Sequence, residues 1–120
     1  MAIASVITAD IINSTKLSKH DLRKLIKTLS RIFGQHQHEF FRGDSFQLLV
    51  RSPTESLLIL LQARTAVMKM FDESSIPVND IRASISIGTI TPPVKSLSTA
   101  PGEAFTLSGR AFDTLEKTGG

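Results

Sequence analysis

The 120-residue sequence has no cysteine, no tryptophan and no tyrosine. Without cysteine there is no disulfide framework and no thiolate metal site. Without tyrosine or tryptophan, and with seven phenylalanines mostly at core-like positions, the chain lacks the exposed aromatic platform on which a sheet stacks unpaired bases. No run approaches the roughly 18 apolar residues of a membrane span. The opening MAIASVITADII lacks the basic leader of a secretory signal and reads as a strand. The expectation is a cytoplasmic protein with no membrane partner.

What is present is ordinary globular composition. Hydrophobic residues make up 41% and charged residues 21%, which argues against disorder. A chain of this length is one domain, or part of one, and buries roughly two-thirds of its unfolded surface. The net charge is +3 and the isoelectric point about 9.6. Most of the excess lies in KLSKHDLRKLIKTLSR, residues 16–31. A solvated helix face explains it; contact with phosphates is the alternative.

Residues 3–9, IASVITA, are short, apolar and rich in β-branched side chains, as in a strand buried on both faces. In residues 18–33, Leu22, Leu25, Ile26, Leu29, Ile32 and Phe33 recur at helical spacing. Ser18 is placed to cap that helix and Gly34 to end it. A hairpin follows over residues 37–50, with Gly43-Asp44 as its turn. The stretch SPTESLLILLQARTAVMKMF predicts a second helix to about residue 71, with Ser52 as N-cap, Pro53 at the first position and Glu55 closing a capping box. DIRASISIGTI predicts a strand in which Ile81, Ala83, Ile85 and Ile87 alternate with Arg82, Ser84 and Ser86. A loop with Pro92, Pro93 and Pro101 leads to a last helix over residues 103–117.

The first six elements form the ferredoxin-like β-α-β-β-α-β pattern of an α+β fold. In that topology the third strand lies antiparallel beside the first. Strand one is expected to end at Asp10, and strand three begins just after Asp44, so two carboxylates meet at one sheet edge. Two such groups repel unless a positive charge intervenes. A hard cation bridging carboxylates and phosphate oxygens is one answer. The other is that Asp10 caps a loop and Asp44 makes a turn. From the residues alone both readings stand.

Four segments bear on that choice. VITADIINSTKL resembles the opening of class III nucleotide cyclases, and FFRGDSFQLLV resembles their Gly-Asp hairpin. IRASISIGT resembles their next strand, and PGEAFTLSGRAFDTLE their segment with an Asn-x-x-x-Arg pair. ITADIINS, FRGDSFQ and GEAFTLSGRAFD are similar to the SatD-like family of bacterial proteins. The pieces run the length of the chain in order.

The resemblance implies a single cyclase-like domain over residues 1–120, cut short at its C-terminal end. It implies that Asp10, Asp44 and the Ile11 carbonyl bind Mg²⁺ or Mn²⁺. Asn13, Ser14 and Thr15 match the turn that holds the polyphosphate, an anion-binding concavity. Arg110 matches the arginine that meets transition-state charge. A homodimer is implied too, with DNA contacted only through a region outside this chain.

The departures fall on base and ribose recognition. Thr106 stands where cyclases carry a ribose-orienting asparagine. Phe40 stands where adenylyl cyclases place a base-reading lysine, and Thr99 falls near the other base-reading position. Asn13 replaces a glycine, although asparagine tolerates left-handed backbone. The aspartates are also closer in sequence than in cyclases. The resulting expectation is a degenerate cyclase-like regulatory module that binds a divalent metal and a nucleoside triphosphate or related nucleotide without efficient turnover. An active dimeric cyclase or phosphoryl-transfer enzyme, and a non-catalytic dimerisation or nucleic-acid-associated module, are the alternatives. His36 and His38 in HQHEF share a spacing that suits one strand face but have no third ligand for zinc.

Overall fold

A computed structural model describes residues 2–70, 80–91, 94 and 97. Thr99, Thr106, Arg110 and the helix expected over residues 103–117 lie outside them. The strands are β1 (Ala2–Ile12), β2 (His38–Phe41), β3 (Ser45–Val50) and β4 (Asp80–Ile90), and the helices are α1 (Lys19–Phe33) and α2 (Ser56–Met70). The sheet order is β2-β3-β1-β4, with every neighbouring pair antiparallel. Among the described residues the architecture is thus α+β: one four-stranded antiparallel sheet and two helices.

Both helices cover one face of the sheet. Leu25, Leu29 and Phe33 of α1 and Ile59, Ala63 and Val67 of α2 form one core with Ile7, Ala9 and Ile11 of β1, Phe46, Leu48 and Val50 of β3, and Ile81. On the other face Ala4, Val6, Leu49 and Ile90 pack against Val94 and Leu97. Gln37 Nε2 donates to the Val94 carbonyl (2.7 Å), and the Leu97 amide donates to Glu39 Oε1 (3.1 Å). These bonds tie the chain after β4 to the far edge of the sheet. β1 is central and apolar on both faces for most of its length, as its near-continuous hydrophobic run requires.

The local signals of α1 hold. The Asp21 amide donates to Ser18 Oγ (3.1 Å), satisfying one of the helix's free first-turn donors, and Gly34 ends the helix with φ 57°. The second helix departs from expectation. Residues Pro53–Glu55 wind as a 3₁₀ turn, and Ser52 makes no side-chain cap. The Glu55 amide instead donates to the Ser52 carbonyl (3.0 Å), so no capping box is needed, and α2 starts at Ser56.

Two strand expectations also change. β1 continues past Asp10 to Ile12, because Ile11 and Ile12 extend the pairing with Ile81 and Asp80. In β4 the isoleucines alternate as read, but Ile87 is 56% exposed while Ser84 and Ser86 are buried. Ile3, which shares that end of the helix-side face, is 65% exposed. The described helices leave this end of the face open.

Candidate functional site

Alternation along β1 puts Thr8 and Asp10 on the face opposite the helices, beyond the part packed by Val94 and Leu97. Asp10 faces Ser45 of β3 on one side and Arg82 of β4 on the other. Arg82 forms a two-pronged ion pair with it: Nε donates to Oδ1 (3.3 Å) and Nη2 to Oδ2 (2.8 Å). The two side chains are only 21% and 24% exposed, so solvent screens the pair less than a surface bridge.

Asp44 reaches the same end of the sheet by its backbone. The Ile11 amide donates to the Asp44 carbonyl (2.8 Å), which fastens the hairpin to the end of β1. The Asp44 carboxylate accepts from the Ser14 hydroxyl at 2.7 Å and from the Ser45 hydroxyl at 3.5 Å. Ser14 is itself buried and opens a 3₁₀ turn, Ser14–Lys16, that follows directly on β1. The chain enters that turn through Asn13 in left-handed geometry, φ 62° and ψ 25°. Asparagine is among the few non-glycine residues that adopt it readily. Thr15 and Lys16 are exposed.

The hairpin turn is centred one residue earlier than Gly43-Asp44. Arg42 and Gly43 carry the positive φ values, 52° and 80°, and the Asp44 amide donates to the Phe41 carbonyl (3.3 Å). Asp44 is drawn out of the apex because its carbonyl belongs to Ile11. It is a joint between hairpin and central strand, with its carboxylate free to serve Ser14.

Phe40 lies elsewhere. Its ring is half-buried against Phe33 and Phe46, with centroids 6.3 and 5.6 Å away, on the helix side of the sheet. His38 joins the same aromatic group, 5.3 Å from Phe33 and edge-on. His36 lies outside β2, with Nε2 3.9 Å from Glu55, so the two histidines serve different surroundings. Nearer the site, Gln47 Nε2 donates to Thr8 Oγ1 (3.3 Å), while its buried Oε1 has no partner among the described residues.

A third carboxylate, Asp80, faces Ile12. It is held by Arg64 of α2, Nε to Oδ1 at 3.0 Å and Nη2 to Oδ2 at 2.8 Å, and it accepts from the Ile81 amide at 2.7 Å. The Arg64 hydrogen bond lowers the Asp80 pKa below its ordinary value of 3.8, against the opposing effect of burial.

Carboxylate and carbonyl oxygens are the donors that Mg²⁺ and Mn²⁺ take, with phosphate oxygens completing the shell. In donor chemistry the Asp10–Asp44 end fits such an ion. Among the described residues no group of three or more histidine, aspartate or glutamate side chains gathers to hold one without phosphate. Arg82 is the residue that reading the sequence missed. It stood out only as a polar member of an alternating strand. The signal was present: pairing β4 with β1 in antiparallel register sets it opposite Asp10.

No family model and no curated protein matches the chain. Among solved structures, the chain is similar to the active GGEEF domain of a diguanylate cyclase from Vibrio cholerae. The match covers 98% of this chain and 79% of that one, at 14% identity and a TM-score of 0.65. The chain shares the fold of that domain, and at this identity the likeness speaks to fold alone.

Proposed function

We propose that the chain is a degenerate nucleotide-cyclase-like module of SatD-like kind that binds a divalent metal and a nucleotide polyphosphate for regulation, without efficient turnover. The observation that carries this reading is the joint itself. Asp10, the Asn13–Lys16 turn and Asp44 are held together by the Ile11–Asp44 and Ser14–Asp44 hydrogen bonds at one end of the sheet. Asp10, Asp44 and the Ile11 carbonyl would hold Mg²⁺ or Mn²⁺, which would supply the positive charge that offsets the carboxylates and a bound polyphosphate. Asn13, Ser14 and Thr15 would offer amides and hydroxyls to the polyphosphate.

The similar diguanylate cyclase domain adds support. Read as residues, GGEEF set beside Arg42-Gly43-Asp44-Ser45-Phe46 keeps a glycine second, an acid third and phenylalanine fifth. On this reading the sheet is ferredoxin-like, residues 103–117 add a C-terminal helix, and Arg110 and Thr106 lie on it one turn apart. The protein works in the cytoplasm as a homodimer. Degeneracy follows from two features. The Phe40 ring is engaged in the core and has no hydrogen bond to give a base. Thr106 is too short to replace an asparagine that aims a ribose, and misplacement by about 1 Å can cost on the order of 100-fold in rate.

Calorimetric titration with ATP and GTP, each with and without Mg²⁺ or Mn²⁺, tests the proposal. Metal-dependent binding that disappears in Asp44→Asn is the expected outcome; no binding under any condition overturns it. The Asp10–Arg82 ion pair favours a second reading, a non-catalytic interaction module that needs no metal. That reading predicts no response to metal and nucleotide, but dimerisation by sedimentation.

A further inference from the structure

Arg82 sits where a cation on Asp10 would have to sit. We infer that its guanidinium is a stand-in cation: it neutralises Asp10 in the ligand-free protein and yields to a divalent metal when a polyphosphate arrives. The inference rests on the nucleotide-binding reading for its second half, but the competition between arginine and metal can be tested by itself.

The geometry makes the competition direct. Asp10 and Arg82 are register partners on adjacent antiparallel strands, so their side chains start about 5 Å apart with little freedom to avoid each other. Both Asp10 oxygens accept from the guanidinium, one tightly at 2.8 Å and one loosely at 3.3 Å. A hard cation seeks the same oxygens. Each oxygen keeps a second lone-pair site, so the conflict is one of charge: two cations on one carboxylate repel, and the loosely held Oδ1 prong is the first to weaken. Asp44 is differently placed. Its partners are hydroxyls, which carry no charge and give way or rotate as a metal binds.

Free metal gains Asp10 at the expense of the Arg82–Asp10 pair. Weakening an ion pair that is largely shielded from solvent is costly. A metal–polyphosphate complex brings the replacement anion with it, and a planar five-donor fork suits phosphate oxygens as well as carboxylate. The site thus discriminates against free Mg²⁺ or Mn²⁺ and responds to the metal–polyphosphate complex as a unit. Arg82 is a positioning and selectivity residue in this scheme.

The test is Mn²⁺ binding, read by the loss of the free-ion electron paramagnetic resonance signal, without nucleotide. Wild type is expected to bind weakly. Arg82→Gln, which keeps a polar side chain without the charge, is expected to bind about tenfold more tightly, within the usual range of coupling between competing groups. Arg82→Lys, with a single-point charge, should fall between them and serves if the glutamine variant does not fold. Adding Asp10→Asn to either variant should abolish the gain. Equal Mn²⁺ affinity in wild type and the foldable variant overturns the inference, as does a gain that survives Asp10→Asn. Thermal shift with Mn²⁺ and ATP or GTP on wild type reads the parent proposal separately. A wild type that ignores the nucleotide, beside an Arg82 variant that gains Mn²⁺, would refute nucleotide binding and leave the stand-in cation in place.

Discussion

Arg42 is an arginine in a glycine's conformation. At φ 52° its Cβ crowds the following carbonyl, which costs roughly 1–2 kcal/mol relative to ordinary backbone. Its exposure leaves little packing to offset that. Arg42→Gly loosens the unfolded chain but relieves the strain, for an expected net gain of roughly 0.5–1 kcal/mol. A lower urea midpoint in the variant would show that the turn is not strained. Ser18→Ala should move the other way by about 1 kcal/mol, because the Asp21 amide loses its acceptor. At this scale the sequence was legible where the signal is local. Ser18 and Gly34 do what their types and positions announce. Gly43-Asp44 was misread by one residue because its geometry is decided by a distant bond, from Ile11 to the Asp44 carbonyl. The Asp10–Arg82 contact was hidden for the same reason, since its members stand 72 residues apart.

Between elements, the Arg64–Asp80 pair ties α2 to the start of β4. The Asp80 pKa is depressed in the folded state, chiefly by the Arg64 hydrogen bond, so the pair stabilises the fold above the ordinary carboxylate value of 3.8. That contribution is lost as pH falls through the lower folded value. Wild type should therefore lose stability more steeply than Asp80→Asn on acidification below about pH 4. Urea midpoints measured against pH check this, and parallel curves would refute it. At neutral pH the substitution should cost no more than about 1 kcal/mol, because Arg64 is 42% exposed and screened. The type and order of the described strands and helices were legible from hydrophobic periodicity together with turn and cap signals. The helix α2 was harder: its sequence is apolar on most sides, yet the structure leaves Leu57, Leu58 and Leu61 exposed and buries Ser56, Ile59, Ala63 and Val67. A hydrophobic run tells which residues a helix has, but its buried stripe depends on the sheet beneath.

The whole molecule carries the functional prediction. Incubation with ATP or GTP and Mn²⁺ for several hours should give no cyclic nucleotide above background by chromatography. A product peak that vanishes in Asp44→Asn would promote the active-enzyme reading. The same global arrangement bears on how the protein is made. β1 precedes both of its sheet partners in the chain and pairs with β4 only over long separations, 72 residues between Asp10 and Arg82. Contacts that distant form slowly, after helices have had time to wind. During synthesis, therefore, an eleven-residue strand without charge before Asp10 waits with one edge bare until β4 emerges. Bare apolar edges recruit other chains. A nascent chain halted between α2 and β4 should be a chaperone client and an aggregation seed, while the chain released after β4 should be neither.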